Sequence, residues 1–292
     1  QQYGLFREQG IDITWRWMQS GGEALTVMGG GFPIGIGTPL GQIALASQNM
    51  DVKILCGLAD ISGTQGVALA PGVRIDHPRE LEGKRCAFTQ GNNGPLILAR
   101  LGQRYGFDHT RVRMIQMQAS EGVVAASRGD VELLQSWQPF LHRLTTMGGR
   151  LFVTGATLNF GASPEALPEN EKLLRNHSTV LVTQEWIDTR PNTLKAMLRA
   201  LIKADDIFRA DRARAMRAMQ QVLRIPAEPL EVMADANRYG VVIDQALINS
   251  YAFTSDWAHG IGRIPAPANA GAAFSALLAQ VDSARVSGRT GA

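Results

Sequence analysis

Glu80-Leu81-Glu82-Gly83-Lys84-Arg85-Cys86-Ala87-Phe88-Thr89-Gln90-Gly91-Asn92-Asn93-Gly94-Pro95 is the stretch on which the fold turns. A charged approach leads into the short apolar run Cys86-Ala87-Phe88, which reads as a buried strand. A polar glycine turn follows, and a helical pattern then runs from about Pro95 to Tyr105. Strand, glycine turn and helix in that order are the repeating unit of an α/β sheet. The turn also has chemistry of its own. A helix N-terminus carries unpaired N–H groups and a partial positive charge, glycine lets a ligand approach the backbone, and asparagine is a good N-cap. Such a turn suits a sulfonate, carboxylate or carbonyl oxygen. An ordinary cap with no ligand is the plainer alternative.

The same alternation extends both ways. Upstream, Gly10–Trp15, Pro33–Gly37, Val52–Leu58 and Gly66–Ala70 read as strands, with helical patterns at Glu23–Met28 and Leu40–Ser47. Downstream, Val112–Ile115, Val131–Leu134, Arg150–Val153 and Thr179–Val182 read as strands, with a helix at Gly122–Arg128. From there to Tyr251 the chain reads helical. Leu194, Met197, Leu198, Leu201 and Ile202 share one face at spacings of three and four, and Pro226 and Pro229 mark a break. Ala272–Val281 reads as a last helix. This order predicts an α/β protein of two lobes with helices on the sheets. Lobe 1 is expected at 1–83 and 184–292, and lobe 2 at 84–183. Crossings near Ala70–Lys84 and Val182–Trp186 would form a two-stranded hinge with a ligand cleft between the lobes.

Composition narrows the function. A hydrophobic fraction of 45% and a charged fraction of 19% are those of a globular protein, not a disordered one. A formal charge of +3 gives no footprint for nucleic acid, and the basic run Arg209–Arg217 is diluted by Asp205, Asp206 and Asp211. No run of about 18 apolar residues exists to span a membrane. No signal peptide is visible, but Gln1-Gln2-Tyr3-Gly4-Leu5-Phe6 reads like a domain interior, so an upstream segment is expected. Cys56 and Cys86 sit in apolar runs and read as buried thiols. There is no Gly-x-Ser-x-Gly elbow, no phosphate-binding loop and no metal-ligand spacing among the five histidines. No cofactor, metal or catalytic residue is expected.

Six phrases in order carry a family resemblance: Tyr3-Gly4-Leu5-Phe6 with Gly10-Ile11-Asp12-Ile13; Gly35-Ile36-Gly37-Thr38-Pro39; Glu80–Phe88; Gln90–Gly94; Ala126-Ser127-Arg128-Gly129-Asp130-Val131; and Trp137-Gln138-Pro139. Together they resemble solute-binding proteins of the alkanesulfonate, taurine and nitrate type, a family that includes binders of thiamine-precursor pyrimidines. The resemblance implies a type II periplasmic-binding-protein fold and a periplasmic, monomeric, non-enzymatic subunit of an ABC importer. Its partners would be a permease and an ATPase. The family's Gly-Ser-Ser turn is here Gly91-Asn92-Asn93, and Gln138 stands where an acid is common.

The candidate ligand-binding residues are Thr38; Ser62, Gly63 and Thr64; Gln90, Gly91, Asn92 and Asn93; Trp137 and Gln138; and Asn159. Thr38 and the Ser62–Thr64 group are expected in loops after strands, where open α/β sheets bind ligands. Trp137 offers a flat apolar wall and one N–H donor, and Gln138 a neutral amide. None of these residues is ionisable. The expected ligand is a small organic anion, a sulfonate or carboxylate with an apolar or aromatic body. The alternatives are an uncharged heteroaromatic vitamin precursor, a sensory ligand-binding domain, and an enzyme on the same fold.

Overall fold

The computed structural model describes residues 2–18, 21–90 and 93–288. The chain forms two compact units. The first comprises Gln1–Asp60, Asn176–Ile225 and Arg238–Ala292; the second comprises Ile61–Arg175 and Pro226–Asn237. The described strands, in chain order, are β1 (Ile34–Gly37), β2 (Val52–Asp60), β3 (Gln65–Leu69), β4 (Arg85–Phe88), β5 (Arg113–Gln116), β6 (Leu133–Trp137), β7 (Arg150–Thr154), β8 (Thr157–Leu158), β9 (Glu165–Ala166), β10 (His177–Thr183) and β11 (Arg238–Tyr239).

The first unit holds the sheet β1-β10-β2-β11, with every neighbouring pair antiparallel. β2 is apolar on both faces, and Ile54, Leu55 and Cys56 are fully buried. Leu194 and Leu198 of the Pro191–Ala210 helix close over this core with Tyr251 of the Gln245–Gly260 helix. The stripe read from the sequence is therefore the buried face of that helix, with Leu201 and Ile202 at its margin.

The second unit holds the sheet β5-β4-β6-β3-β7-β8-β9. β4 runs parallel to β5 and β6, while β3 is antiparallel to both β6 and β7. One sheet face packs Ala68, Ala87 and Leu134 against Val123, Ala126, Leu141 and Leu144. The predicted strand–turn–helix stretch is present here, as β4 and the Gly94–Tyr105 helix.

The unit boundaries differ from the expected lobe boundaries. β3, expected in lobe 1, lies in the middle of the second sheet, and β10, expected to close lobe 2, lies between β1 and β2 of the first. The chain changes unit at 60/61 and 175/176, and the Ala227–Asp235 helix belongs to the second unit. The cause is non-local pairing. Gly66 on β3 lets β7 approach so closely that a Cβ there would stand 2.3 Å from the Val153 carbonyl oxygen. Chain order alone does not contain that contact.

Two local expectations also need correction. Gly10–Trp15 has no ladder partner among the described residues. Ile11 and Ile13 pack on the first unit's core, but alternation supplies burial and not a neighbouring strand. The last helix is split into Ala270–Ala273 and Leu277–Val281. Between them Phe274 bridges Ile54, and the Ser275 N–H donates to the Ile54 carbonyl at 2.9 Å, so sheet bonding interrupts the helix.

Candidate functional site

Strand pairing in the second unit brings two of the predicted groups together. Gln65 registers with Trp137 across β3 and β6, and the Gln138 N–H donates to the Thr64 carbonyl at 3.0 Å. Ser62–Thr64 form a short 3₁₀ turn leading into β3. Ser62 and Thr64 are buried. The Thr64 hydroxyl donates to Asn237 Oδ1, and a Cβ on Gly63 would come within 2.9 Å of the Ala236 carbonyl oxygen. The turn is thus fixed against the segment after the Ala227–Asp235 helix, and the Thr64 hydroxyl is occupied there.

Trp137 closes β6, half-buried, with its ring edge-on to Phe140 at 5.6 Å. Gln138 is buried and joined to Pro139 by a cis peptide bond. Its Oε1 accepts the His142 N–H at 2.9 Å, in the first turn of the Phe140–Thr146 helix. Trp137 remains partly exposed, whereas the Gln138 side-chain carbonyl is committed to the His142 N–H.

The glycine turn is only partly described. Gln90 is exposed, and Gly91 and Asn92 lie outside the described residues. Asn93 occupies the N-cap position but makes no side-chain cap bond, contrary to the simplest expectation for asparagine there. Its carbonyl accepts the Leu96 N–H at 3.1 Å, and its buried Nδ2 has no partner. Pro95 brings no N–H to the first turn.

Beside this turn stands a residue the sequence reading missed. Gln135 is 1% exposed, and neither its Nε2 nor its Oε1 has a hydrogen-bond partner. Its amide lies against the helix start: a Cβ on Gly94 would fall 1.7–2.1 Å from the Gln135 Cδ, Nε2 and Oε1. Gln65 Oε1 is also buried without a partner, as is Ser136 Oγ, which points to the other sheet face. The available signal was a polar pair inside an apolar strand, Leu133-Leu134-Gln135-Ser136-Trp137. A buried polar residue is more informative than a buried leucine.

Of the remaining candidates, Asn159 lies in the second unit and Thr38 in the first. Asn159 is tied locally, its Nδ2 donating to Thr157 Oγ1 at 3.1 Å and its carbonyl accepting from Arg150 at 3.3 Å. Thr38 belongs to the first unit. It caps the Pro39–Ser47 helix through its carbonyl, which accepts from Gly41 at 2.9 Å and Gln42 at 3.2 Å. A groove of about 430 Å³ in the first unit, lined by Tyr3, Trp15, Trp17, Phe208 and Met219 among others, includes none of the candidates. No group of three or more possible metal ligands occurs among the described residues, and none of the described helices is long and apolar enough to cross a membrane.

Comparison with known proteins gives this geometry its context. The family model described as NMT1/THI5 like matches residues 1–215. The taurine-binding periplasmic protein of Escherichia coli (strain K12) is 22% identical over 208 residues, covering 70% of this chain and 60% of that protein, so the match spans less than two thirds of the relative. The alkanesulfonate-binding protein SsuA from Xanthomonas axonopodis pv. citri, solved with MOPS bound, superposes with a TM-score of 0.75 at 17% identity, covering 94% of this chain and 92% of that one. The desulfurization enzyme DSZB superposes with a TM-score of 0.68 at 14% identity, covering 97% and 94%. These likenesses establish the periplasmic-binding-protein fold.

Proposed function

The chain belongs to the NMT1/THI5-like family, and from that premise we propose that it is the solute-capturing subunit of an ABC importer. It would work outside the inner membrane and pass a small organic anion, a sulfonate or carboxylate, to a permease driven by an ATPase. The observation that carries this reading is the agreement of three likenesses: the family match, the taurine-binding relative and the alkanesulfonate-binding neighbour. The second unit supports it with a half-buried indole beside buried neutral amides, a surface suited to an apolar body with a polar head. Trp137 supplies the wall, and Asn93, with the turn before it, the polar end.

A second reading has an observation behind it. None of the candidate residues is ionisable, which equally suits an uncharged heteroaromatic. The fold also supports an enzyme in DSZB, so turnover must be measured and not assumed. Thermal-shift screening with sulfonates, carboxylates, pyrimidines and flavins addresses all three possibilities. A ligand that binds only the folded state at about 100 times its Kd adds roughly 2.7 kcal/mol of stability, several degrees in Tm. A shift with one class, with mass spectrometry finding the ligand unchanged after incubation, is the expected result. A converted ligand would move the protein to the enzymes.

A further inference from the structure

The unpartnered polar atoms beside the Gly94–Tyr105 helix are a mixed set of donors and acceptors. Gln135 Nε2 and Asn93 Nδ2 lack acceptors, while Gln135 Oε1 and Gln65 Oε1 lack donors. All three side chains are more than nine-tenths buried. Gln65 faces Trp137 across the β3–β6 ladder, and Gln135, two residues before Trp137, projects from the same face of the sheet. The Gln135 amide lies on Gly94, at the first turn of the helix.

Buried amides left without partners cost a protein stability, so a cluster of them calls for an explanation. Among the described residues of the first turn, Pro95 has no N–H and the Leu96 N–H is bonded to the Asn93 carbonyl at 3.1 Å. A plain sulfonate or carboxylate has only acceptor oxygens. It could serve Gln135 Nε2 and Asn93 Nδ2, but both carbonyl oxygens would stay unmet.

We propose that Gln135 is a specificity-determining residue of the ligand site, acting with Asn93 and Gln65, and that the ligand presents an N–H donor beside an acceptor. This inference rests on the solute-binding reading and narrows it to amino-substituted acids or N–H-bearing heteroaromatics over simple alkyl acids. A site built to bond a donor rejects the analogue that lacks one, because its own acceptor is then left buried and unpaired.

The experiment is calorimetric titration with matched pairs: 2-aminoethanesulfonate against ethanesulfonate, 2-aminobenzoate against benzoate, and 4-aminopyrimidine against pyrimidine. In at least one pair the amino member should bind about tenfold tighter or better. Gln135→Met should abolish that preference and leave the unliganded protein as stable as before or more so, since it replaces unmet polar atoms with apolar ones of similar length. A residue with a purely structural role would lose stability on the same change. Equal affinity within the pairs that bind, or a preference that survives Gln135→Met, overturns the assignment of Gln135 while leaving the solute-binding reading in place. Binding by no member of any pair overturns both.

Discussion

Gly66 and Gly94 are both crowded, but by different things. At Gly66 an added Cβ would meet backbone, 2.3 Å from the Val153 carbonyl oxygen and 3.1 Å from the Thr154 Cα. At Gly94 the three nearest atoms it would meet all belong to the Gln135 side-chain amide. Backbone in a paired strand cannot step aside, whereas a side chain can be shortened. Gly66→Ala should therefore cost about 3 kcal/mol or more, beyond repair at any one second site, because β7 must leave its register. Gly94→Ala should cost about 1–3 kcal/mol, most of it recovered in the double variant Gly94→Ala/Gln135→Ala. Urea denaturation of the three variants measures both effects. An additive double variant would show that the Gln135 amide does not lie on Gly94. At this scale the sequence displayed the residues without their neighbours. Gly91–Asn93 stood out because glycine and asparagine announce a turn locally, while Gln135 was hidden because its significance depends on a helix start forty residues earlier in the chain.

The parallel junction of β4 and β6 has a polar clasp at one end. Glu132 accepts from the Arg85 backbone N–H at 2.9 Å and from the guanidinium at 3.1 and 3.2 Å, and its own N–H donates to the Arg85 carbonyl at 3.1 Å. The side-chain bond from Arg85, against a smaller opposing effect of burial, holds the Glu132 carboxyl below its ordinary value. A carboxylate whose folded pKa is lowered contributes stability that is complete above the ordinary value of 4.5 and is lost as pH falls through the lower folded value. Glu132→Gln should therefore lower the melting temperature at pH 7, and its deficit should shrink as pH drops below that point. Melting curves from pH 7 to pH 3 provide the comparison, and a deficit independent of pH would deny the charge its role. The pair is partly solvent-exposed, so the effect is small and weakens with salt. Elements resting on local periodicity were legible: β4, the helix after it, and the Leu194–Leu198 stripe all follow from spacing. Those depending on a distant partner were not. β3 reads as an apolar strand wherever it is placed, and only its ladders with β6 and β7 put it in the second sheet. Likewise, nothing near Ser275 foretells its bond to Ile54.

The two cysteines make each unit's stability separately readable. Cys56 lies on β2 in the first unit and Cys86 on β4 in the second; both are free and completely buried. Burial pushes both thiols up from an ordinary 9.0 to about 12, with a backbone hydrogen bond partly opposing it at Cys86. At pH 8 the reactive thiolate is then on the order of one part in ten thousand, and the sulfur is also shielded from reagent. The native protein should take up almost no thiol label, and each cysteine should react only when its own unit opens. Opening is measured against bound ligand by mass action: a ligand raises the opening free energy of the unit that holds it. Gln65, Asn93, Gln135 and Trp137 all belong to the second unit. Saturating ligand should therefore slow the labelling of Cys86 in moderate urea, as followed by peptide mass spectrometry at each site. Slowing at Cys56 alone would place the binding contacts in the first unit and remove the amide cluster from the site. Slowing at both would require contacts from the first unit as well, for which Thr38 is the residue to test. The bulk composition of the chain says nothing about this division, because the two thiols look alike in sequence and differ only in the sheet that buries them.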